Sequence, residues 1–185
     1  MTFKGFNIPV AIVVFLLAIG IIFGVQKLTF YQRTIVPMVN AFETIEGVQA
    51  VRLSQESYGF DLILILDNDK PLKEVMDNVF AVSSKNGGKF NFTITDNSND
   101  LLDRAYHQMH FAIQEALTVG NFRVMAEEVA RIADEFDIQQ RISVDNNYIY
   151  VQLWTEQNIL YRVVARDGSI LVKTIDGGEM VEATL

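Results

Sequence analysis

Apolar positions run unbroken near the start of this chain and then fall into two alternating periods, and these patterns mark out its elements. Residues 8–25 read Ile-Pro-Val-Ala-Ile-Val-Val-Phe-Leu-Leu-Ala-Ile-Gly-Ile-Ile-Phe-Gly-Val, without a charge or a strong polar group. Eighteen residues at about 1.5 Å each reach about 27 Å, close to the hydrocarbon thickness of a bilayer. A backbone in lipid must satisfy its own hydrogen bonds, so the run predicts a transmembrane helix. Pro9 falls in the first turn, where its missing N–H has no helical acceptor, and Asn7 stands before it as a cap. A cleaved leader would have a shorter apolar core ending in a small-x-small pair. The exit here is Gly24-Val25-Gln26-Lys27-Leu28-Thr29-Phe30, which offers no such pair. A core helix of a globular protein would show a polar face, and this run has none.

Residues 1–7 are a short tail ahead of that span, and residues 26–46 a juxtamembrane segment. In the latter, Phe30, Ile35, Val39 and Phe42 recur at helical spacings, and Pro37 interrupts or restarts the helix before it ends at Gly47. From there the period shortens to two. Val48 to Gln55 predicts a strand, Tyr58-Gly59 a bend, and Phe60 to Leu66 a second strand. The near-continuous apolar run of that second strand reads as burial on both faces, hence a central place in a sheet. Asp67-Asn68-Asp69 ends it as a turn. A helix from Pro71 to Lys85 carries the stripe Leu72, Val75, Met76, Val79 and Val82, and Asn86-Gly87-Gly88 stops it as a left-handed cap. Lys89 to Thr95 alternates, with Phe90, Phe92 and Ile94 on one face. Residues 47–97, with the helix before them, are thus an α-β-β-α-β lobe. Small oligomer-building modules of bacterial membrane machines use the same order of elements, an analogy of topology alone.

Ser98-Asn99-Asp100 caps a helix running to Val119, and Gly120-Asn121 breaks it. The next helix carries Phe122, Met125, Val129, Ile132 and Phe136 on one side. Strands follow at Arg141 to Val144, Tyr148 to Trp154, Ile159 to Ala165 and Ser169 to Ile175. Asn146-Asn147 and Asp167-Gly168 are two-residue hairpin signals between them. Residues 98–176 are expected to form a helical hairpin packed on a four-stranded antiparallel meander, and residues 177–185 a flexible tail from Gly177-Gly178. The fold class is α+β.

Charge narrows the partners. The chain has 15 Lys and Arg against 23 Asp and Glu, a net charge of −8. Lys4 and Lys27 are the only charges through residue 30, so the remainder carries thirteen positive against twenty-three negative groups. Such a domain is a poor match for nucleic acid, which needs clustered Lys and Arg, and anionic lipid heads would repel it. The absence of cysteine excludes disulfides, thiolate nucleophiles and Cys-ligated metals. Lys4 on one flank and Lys27 with Arg33 on the other leave the positive-inside rule nearly tied. A short tail before a signal-like helix favours an extracytoplasmic domain.

Candidate chemistry is sparse. His107 and His110 lie three apart on one predicted helix, with Asp103 a turn earlier, a spacing that puts side chains on one face. Zinc needs three or four ligands and a second shell, and the run His-Gln-Met-His is not the HExxH pattern, so the bland reading is a polar helix edge. Asp67-Asn68-Asp69 and Asp96 to Asp100 fail the calcium-loop pattern and read as turns and caps. Gly20 and Gly24 form a G-x-x-x-G that would let a second helix approach closely, although glycine is common in membrane helices. Tyr148, Tyr150 and Trp154 share one face of a strand, with Tyr161 opposite on the next. If helices cover only the aliphatic face, these aromatics make a candidate binding face; otherwise they are core.

No catalytic constellation stands out, and no cofactor is implied. Asp61, Asp96 and Glu115 are scattered carboxylates that only folding would bring together. The expectation is a single-pass, non-enzymatic component of a bacterial-type cell envelope. Its partners would be the lipid bilayer and either itself or other membrane proteins. The alternative is an anchored ligand-binding or sensing domain that uses the aromatic face.

Overall fold

The computed structural model describes residues 8–56, 58–87, 89–167 and 172–176. The expected tails at 1–7 and 177–185, with Gly177 and Gly178, and the turn glycines Gly88 and Gly168 lie outside the described residues. The chain divides into two compact units, Met1–Asn40 and Ala41–Leu185.

In the first unit, α1 (Ile8–Phe30) is a single helix of 23 residues. From Ile12 to Leu17 the large apolar side chains are each more than half exposed. Six consecutive residues turn through more than a full circle, so every side of the helix is apolar and uncovered. Among the described residues, no helix is long and apolar enough to cross a membrane. The side chains described without a break in α1 are those of residues 12–23, about 18 Å of helix. The transmembrane helix expected over residues 8–25 is therefore observed as a helix and not as a membrane span. A π-helical turn, Tyr31–Ile35, leads into α2 (Val36–Glu43). Pro37 accounts for the wider turn, because proline cannot donate to the carbonyl four residues back and its ring crowds that carbonyl.

The second unit holds two sheets. Strands β1 (Val48–Glu56), β2 (Gly59–Leu66), β3 (Phe90–Asp96) and β7 (Val172–Asp176) form the first, in the order β1-β2-β3-β7. β1 is antiparallel to β2, and β2, β3 and β7 are mutually parallel. The crossover helix α3 (Leu72–Asn86) buries Leu72, Val75, Met76 and Val79, and Ser83 rather than Val82 continues the buried stripe. β2 is central as expected, but its burial alternates. Leu62, Leu64 and Leu66 are buried, whereas Asp61, Ile63 and Ile65 are only partly covered. The even-numbered face carries the core, so the apolar run does not mean burial on both sides.

Gly59 lets β2 start where it does. A Cβ there would lie 2.3 Å from the Lys89 carbonyl oxygen. That same oxygen accepts the Phe60 N–H at 2.8 Å, so the two strands meet backbone to backbone.

The second sheet comprises β4 (Gln139–Val144), β5 (Tyr148–Trp154) and β6 (Ile159–Ala165), all antiparallel. The expected four-stranded meander is thus three-stranded. β7 does not return beside β6 but pairs in parallel with β3, Phe92 opposite Val172 and Asp96 opposite Asp176. This covers a β3 edge that would otherwise present unpaired backbone groups. The helical hairpin, α4 (Asp100–Val119) and α5 (Phe122–Glu135), packs on the second sheet. Asn99 caps α4 by accepting the Leu102 N–H at 3.0 Å, and Gly120 closes it in the left-handed region at φ 81°. Leu102, Met109 and Ile113 of α4 and Met125, Val129 and Ile132 of α5 share one core with Ile149, Val151 and Leu153 of β5.

Candidate functional site

Alternation along β5 sends Ile149, Val151 and Leu153 to the helical hairpin and Tyr148, Tyr150, Gln152 and Trp154 to the other side. That other side is not an open platform. α3 lies against it: Phe80 stacks on Tyr148, with centroids 5.4 Å apart, and meets Phe92 of β3 edge-on at 5.2 Å. Tyr150 and Tyr161 are each 1% exposed. Tyr148 and Trp154 are half-buried, and the Arg141 guanidinium sits 5.5 Å from the Trp154 ring. Of the four aromatics weighed as a candidate binding face, Tyr150 and Tyr161 are interior and Tyr148 and Trp154 half-buried, with α3 supplying cover that the sequence left open.

Gln152, in the middle of this face, is 1% exposed and bonded at both ends of its amide. Its Oε1 accepts the Leu72 N–H at 3.3 Å, and its Nε2 donates to the Asn68 carbonyl at 3.2 Å. It thereby satisfies a backbone donor at the start of α3 that no helical carbonyl can reach. The Tyr150 hydroxyl donates to Asp145 Oδ2 at 2.9 Å, while Asp145 Oδ1 accepts the N–H groups of Asn147 and Tyr148 at 2.7 and 2.8 Å. Burial works against the Asp145 carboxylate. The two backbone N–H groups, the Tyr150 hydroxyl and nearby Lys73 outweigh it and hold its pKa below the usual range.

A second polar junction lies at the carboxyl ends of β2 and β3, where open parallel sheets commonly hold ligands. Here the second sheet occupies that place. Asp96 Oδ2 accepts the Tyr161 N–H at 3.3 Å and the Arg162 Nη1 at 2.6 Å. Burial pushes the Asp96 pKa up, against the pull of Arg162. Arg162 also reaches Asp103 Oδ1 at 3.4 Å and lies 5.4 Å over the Tyr106 ring. The Tyr161 hydroxyl oxygen is buried without a hydrogen-bond partner among the described residues. Burial, then the charges of Asp67 and Asp96, push that phenol up. Sequence reasoning singled out Tyr161 but missed Gln152 and the Asp96–Arg162 pair. Gln152 carried a signal, being an amide between Val151 and Leu153 in a strand otherwise apolar or aromatic.

The histidines do not converge. His107 is exposed and edge-on to Phe111 at 5.7 Å, and His110 is half-buried, its ring 6.2 Å from Tyr106. Asp103 instead accepts the Ser98 hydroxyl at 2.8 Å and faces Arg162. Among the described residues, no group of three His, Cys, Asp or Glu side chains is placed to hold a metal ion. A wide-open groove of about 610 Å³ passes Asp103, Arg104, His107 and Phe136. The scattered carboxylates also stay apart. Asp61 accepts from Asn91 at 2.7 Å, on the face of the sheet opposite to Asp96, and Glu115 accepts from Asn121 at 3.1 Å. On α1, Gly20 borders a shallow notch with Val13, Leu16, Leu17 and Ile21, and a Cβ on it would meet nothing within 4 Å. The surroundings of Gly24 lie outside the described residues.

No protein-family model matches this chain, and no curated protein and no solved structure matches it.

Proposed function

We propose that the chain is a single-pass, membrane-anchored structural or assembly component of a bacterial-type cell envelope, acting through protein–protein contacts and not by catalysis. One observation carries this reading: the apolar side chains of α1 are exposed at consecutive positions, so the helix has no face suited to water. A bilayer supplies the missing cover, and the charge-free run of residues 8–25 has the length to use it. The open space at Gly20, with Gly24 four residues on, supports close approach of a second helix in lipid.

The non-catalytic part rests on closure. Asp96 is the inward carboxylate with a raised pKa, a kind of group that often marks an active site. Its side chain is 2% exposed and held by Arg162, so a substrate would have to part the two sheets to reach it. The ligand-sensing alternative loses its motive with Tyr150 and Tyr161 in the interior.

The test has two steps. Membranes holding the full-length chain are washed with alkaline carbonate, and the protein is expected to stay in the pellet; release into the wash removes the anchor. The chain is then extracted in mild detergent and its mass measured by light scattering, beside a chain starting at Thr34. More than one copy is expected for the full-length form. A strict monomer of both forms argues against assembly.

A further inference from the structure

One face of the first sheet, called odd-numbered after the residues that β2, β3 and β7 place on it, carries a residue row that differs in charge from the rest of its unit. Register places Arg52 beside Ile63, Ile63 beside Thr93, and Thr93 beside Lys173. Directly paired residues point to the same side of a sheet, so the four form one row across β1, β2, β3 and β7. Arg52 and Lys173 are exposed at its ends, and neither has an ion-pair or hydrogen-bond partner among the described residues. Ile63 and Thr93 between them are partly exposed, as is Ile65 in the next row. The unit carrying this row has twelve Lys and Arg against twenty-three Asp and Glu. Two cations without a partner among the described residues thus flank Ile63 and Thr93 on a strongly acidic domain, with Asp61 and its partner Asn91 in the neighbouring row of the same face.

The acidic counterpart lies on another surface of the same unit. The helices α4 and α5 contain seven carboxylates against three arginines. Their inward faces are spent on β5, which leaves the outer face with Phe111 at 67%, Val119 at 68% and Val124 at 55% exposure. Arg131 already pairs with Glu128 and Glu135, and Arg162 with Asp103, yet the hairpin keeps an excess of carboxylates beside these exposed apolar groups, which complements Ile63 with a cation at each end of its row.

We propose that the odd-numbered face of the first sheet docks on the outer face of the α4–α5 hairpin of a second copy of this chain. The inference rests on the assembly reading above and names its surface and partner. A face-to-face pairing that laid this row on itself would set Arg52 and Lys173 against like charges, and one shifted by a row would offer a single carboxylate, Asp61, whereas the helical face offers several. The contact therefore joins two different surfaces, and each copy keeps one of each kind free for the next. Such a heterologous contact propagates into a ring or a filament. Copies anchored in one membrane share one orientation and differ by rotation about its normal, which is the relation that ring closure needs.

The test uses the full-length chain in mild detergent. The chain has no cysteine, so each introduced thiol is the sole one. Copies carrying Thr93→Cys, mixed with copies carrying Phe111→Cys or Val124→Cys, are expected to form disulfide dimers on oxidation, and each variant alone to form few. Reversal of both end charges, Arg52→Glu with Lys173→Glu, is expected to weaken assembly at least tenfold by light scattering while leaving the melting curve in place, since both side chains are exposed. An oligomer indifferent to the reversal, or a Thr93→Cys dimer as abundant alone as in the mixtures, overturns this inference and leaves the assembly reading standing. A wild-type chain that is monomeric at every concentration overturns both.

Discussion

The carboxylate of Asp96, at the end of β3, accepts a hydrogen bond at 2.6 Å from the guanidinium of Arg162, in β6, and so ties the first sheet to the second. The Asp96 side chain is 2% exposed and that of Arg162 is 28% exposed. Removing the cation leaves a buried charge without its partner. A fully buried pair loses about 3–5 kcal/mol this way, and solvent access to Arg162 lowers the expectation for Arg162→Ala to about 2–3 kcal/mol. Burial already raises the Asp96 pKa in the folded state, and loss of Arg162 raises it further. Between the unfolded and folded pKa the native state holds a proton that the unfolded state lacks, so the penalty fades as pH falls through the folded pKa. Urea unfolding at pH 7 and in mild acid should show the Arg162→Ala loss shrinking in acid. An equal loss at both would mean that the charge of Asp96 is not its source.

Tyr161 offers the opposite sign. Its ring fills the interior, and its hydroxyl has no partner among the described residues. An unmet buried hydroxyl costs roughly 1–3 kcal/mol, so Tyr161→Phe, which keeps the ring, should stabilise the protein by about 1 kcal/mol. For a chain of this size that raises Tm by about 2–4 °C. A lower Tm would show that the hydroxyl has a bonding role.

Asp145 organises the β4–β5 turn through the Asn147 and Tyr148 N–H groups and the Tyr150 hydroxyl. Its folded pKa is depressed, so its contribution is fully present above the ordinary carboxylate range and is lost as pH falls through the folded value. Asp145→Ala should cost about 1–3 kcal/mol near neutral pH and progressively less in strong acid. Denaturation at the two pH values checks the sign: a variant whose deficit grows in acid contradicts it.

The element order was legible because each element announces itself locally. The α3 stripe, the Phe90-x-Phe92-x-Ile94 alternation and the Asn99 and Gly120 caps of α4 all follow from short-range pattern. What the pattern does not carry is which strand pairs with which. The run from Val172 alternates like any hairpin strand, and Asp167-Gly168 reads like a hairpin turn, yet β7 pairs with β3, about eighty residues earlier. The fate of the aromatic face was equally out of reach. Whether Tyr150 is exposed depends on Phe80 and Leu72 of α3 coming back over β5. Asp96 read as part of a turn and Asp103 as a companion of His107, and of the two Asp103 does hold local chain, at Ser98. That they also meet Arg162, some sixty residues on, is a property of sheet packing alone.

Gly59 separates steric need from conformational need. A Cβ on it would sit 2.3 Å from the Lys89 carbonyl oxygen, far inside contact distance, and the obstacle is backbone, which cannot rotate away. At Gly120 the φ of 81° is the demand and nothing lies within 4 Å of a Cβ. Gly120→Ala should therefore cost about 1–2 kcal/mol, the ordinary penalty of a left-handed L-residue. Gly59→Ala must push β2 from β3 at the point where Phe60 donates to Lys89, with a cost of about 2–3 kcal/mol. The displacement also reaches the proposed docking face, because the β2–β3 register is what places Ile63 beside Thr93. At equal loss of stability, Gly59→Ala should weaken assembly of the full-length chain more than a core substitution on neither docking surface, such as Leu160→Ala in β6, as read by light scattering. If the two weaken it equally, assembly follows global stability and not the geometry of the sheet face.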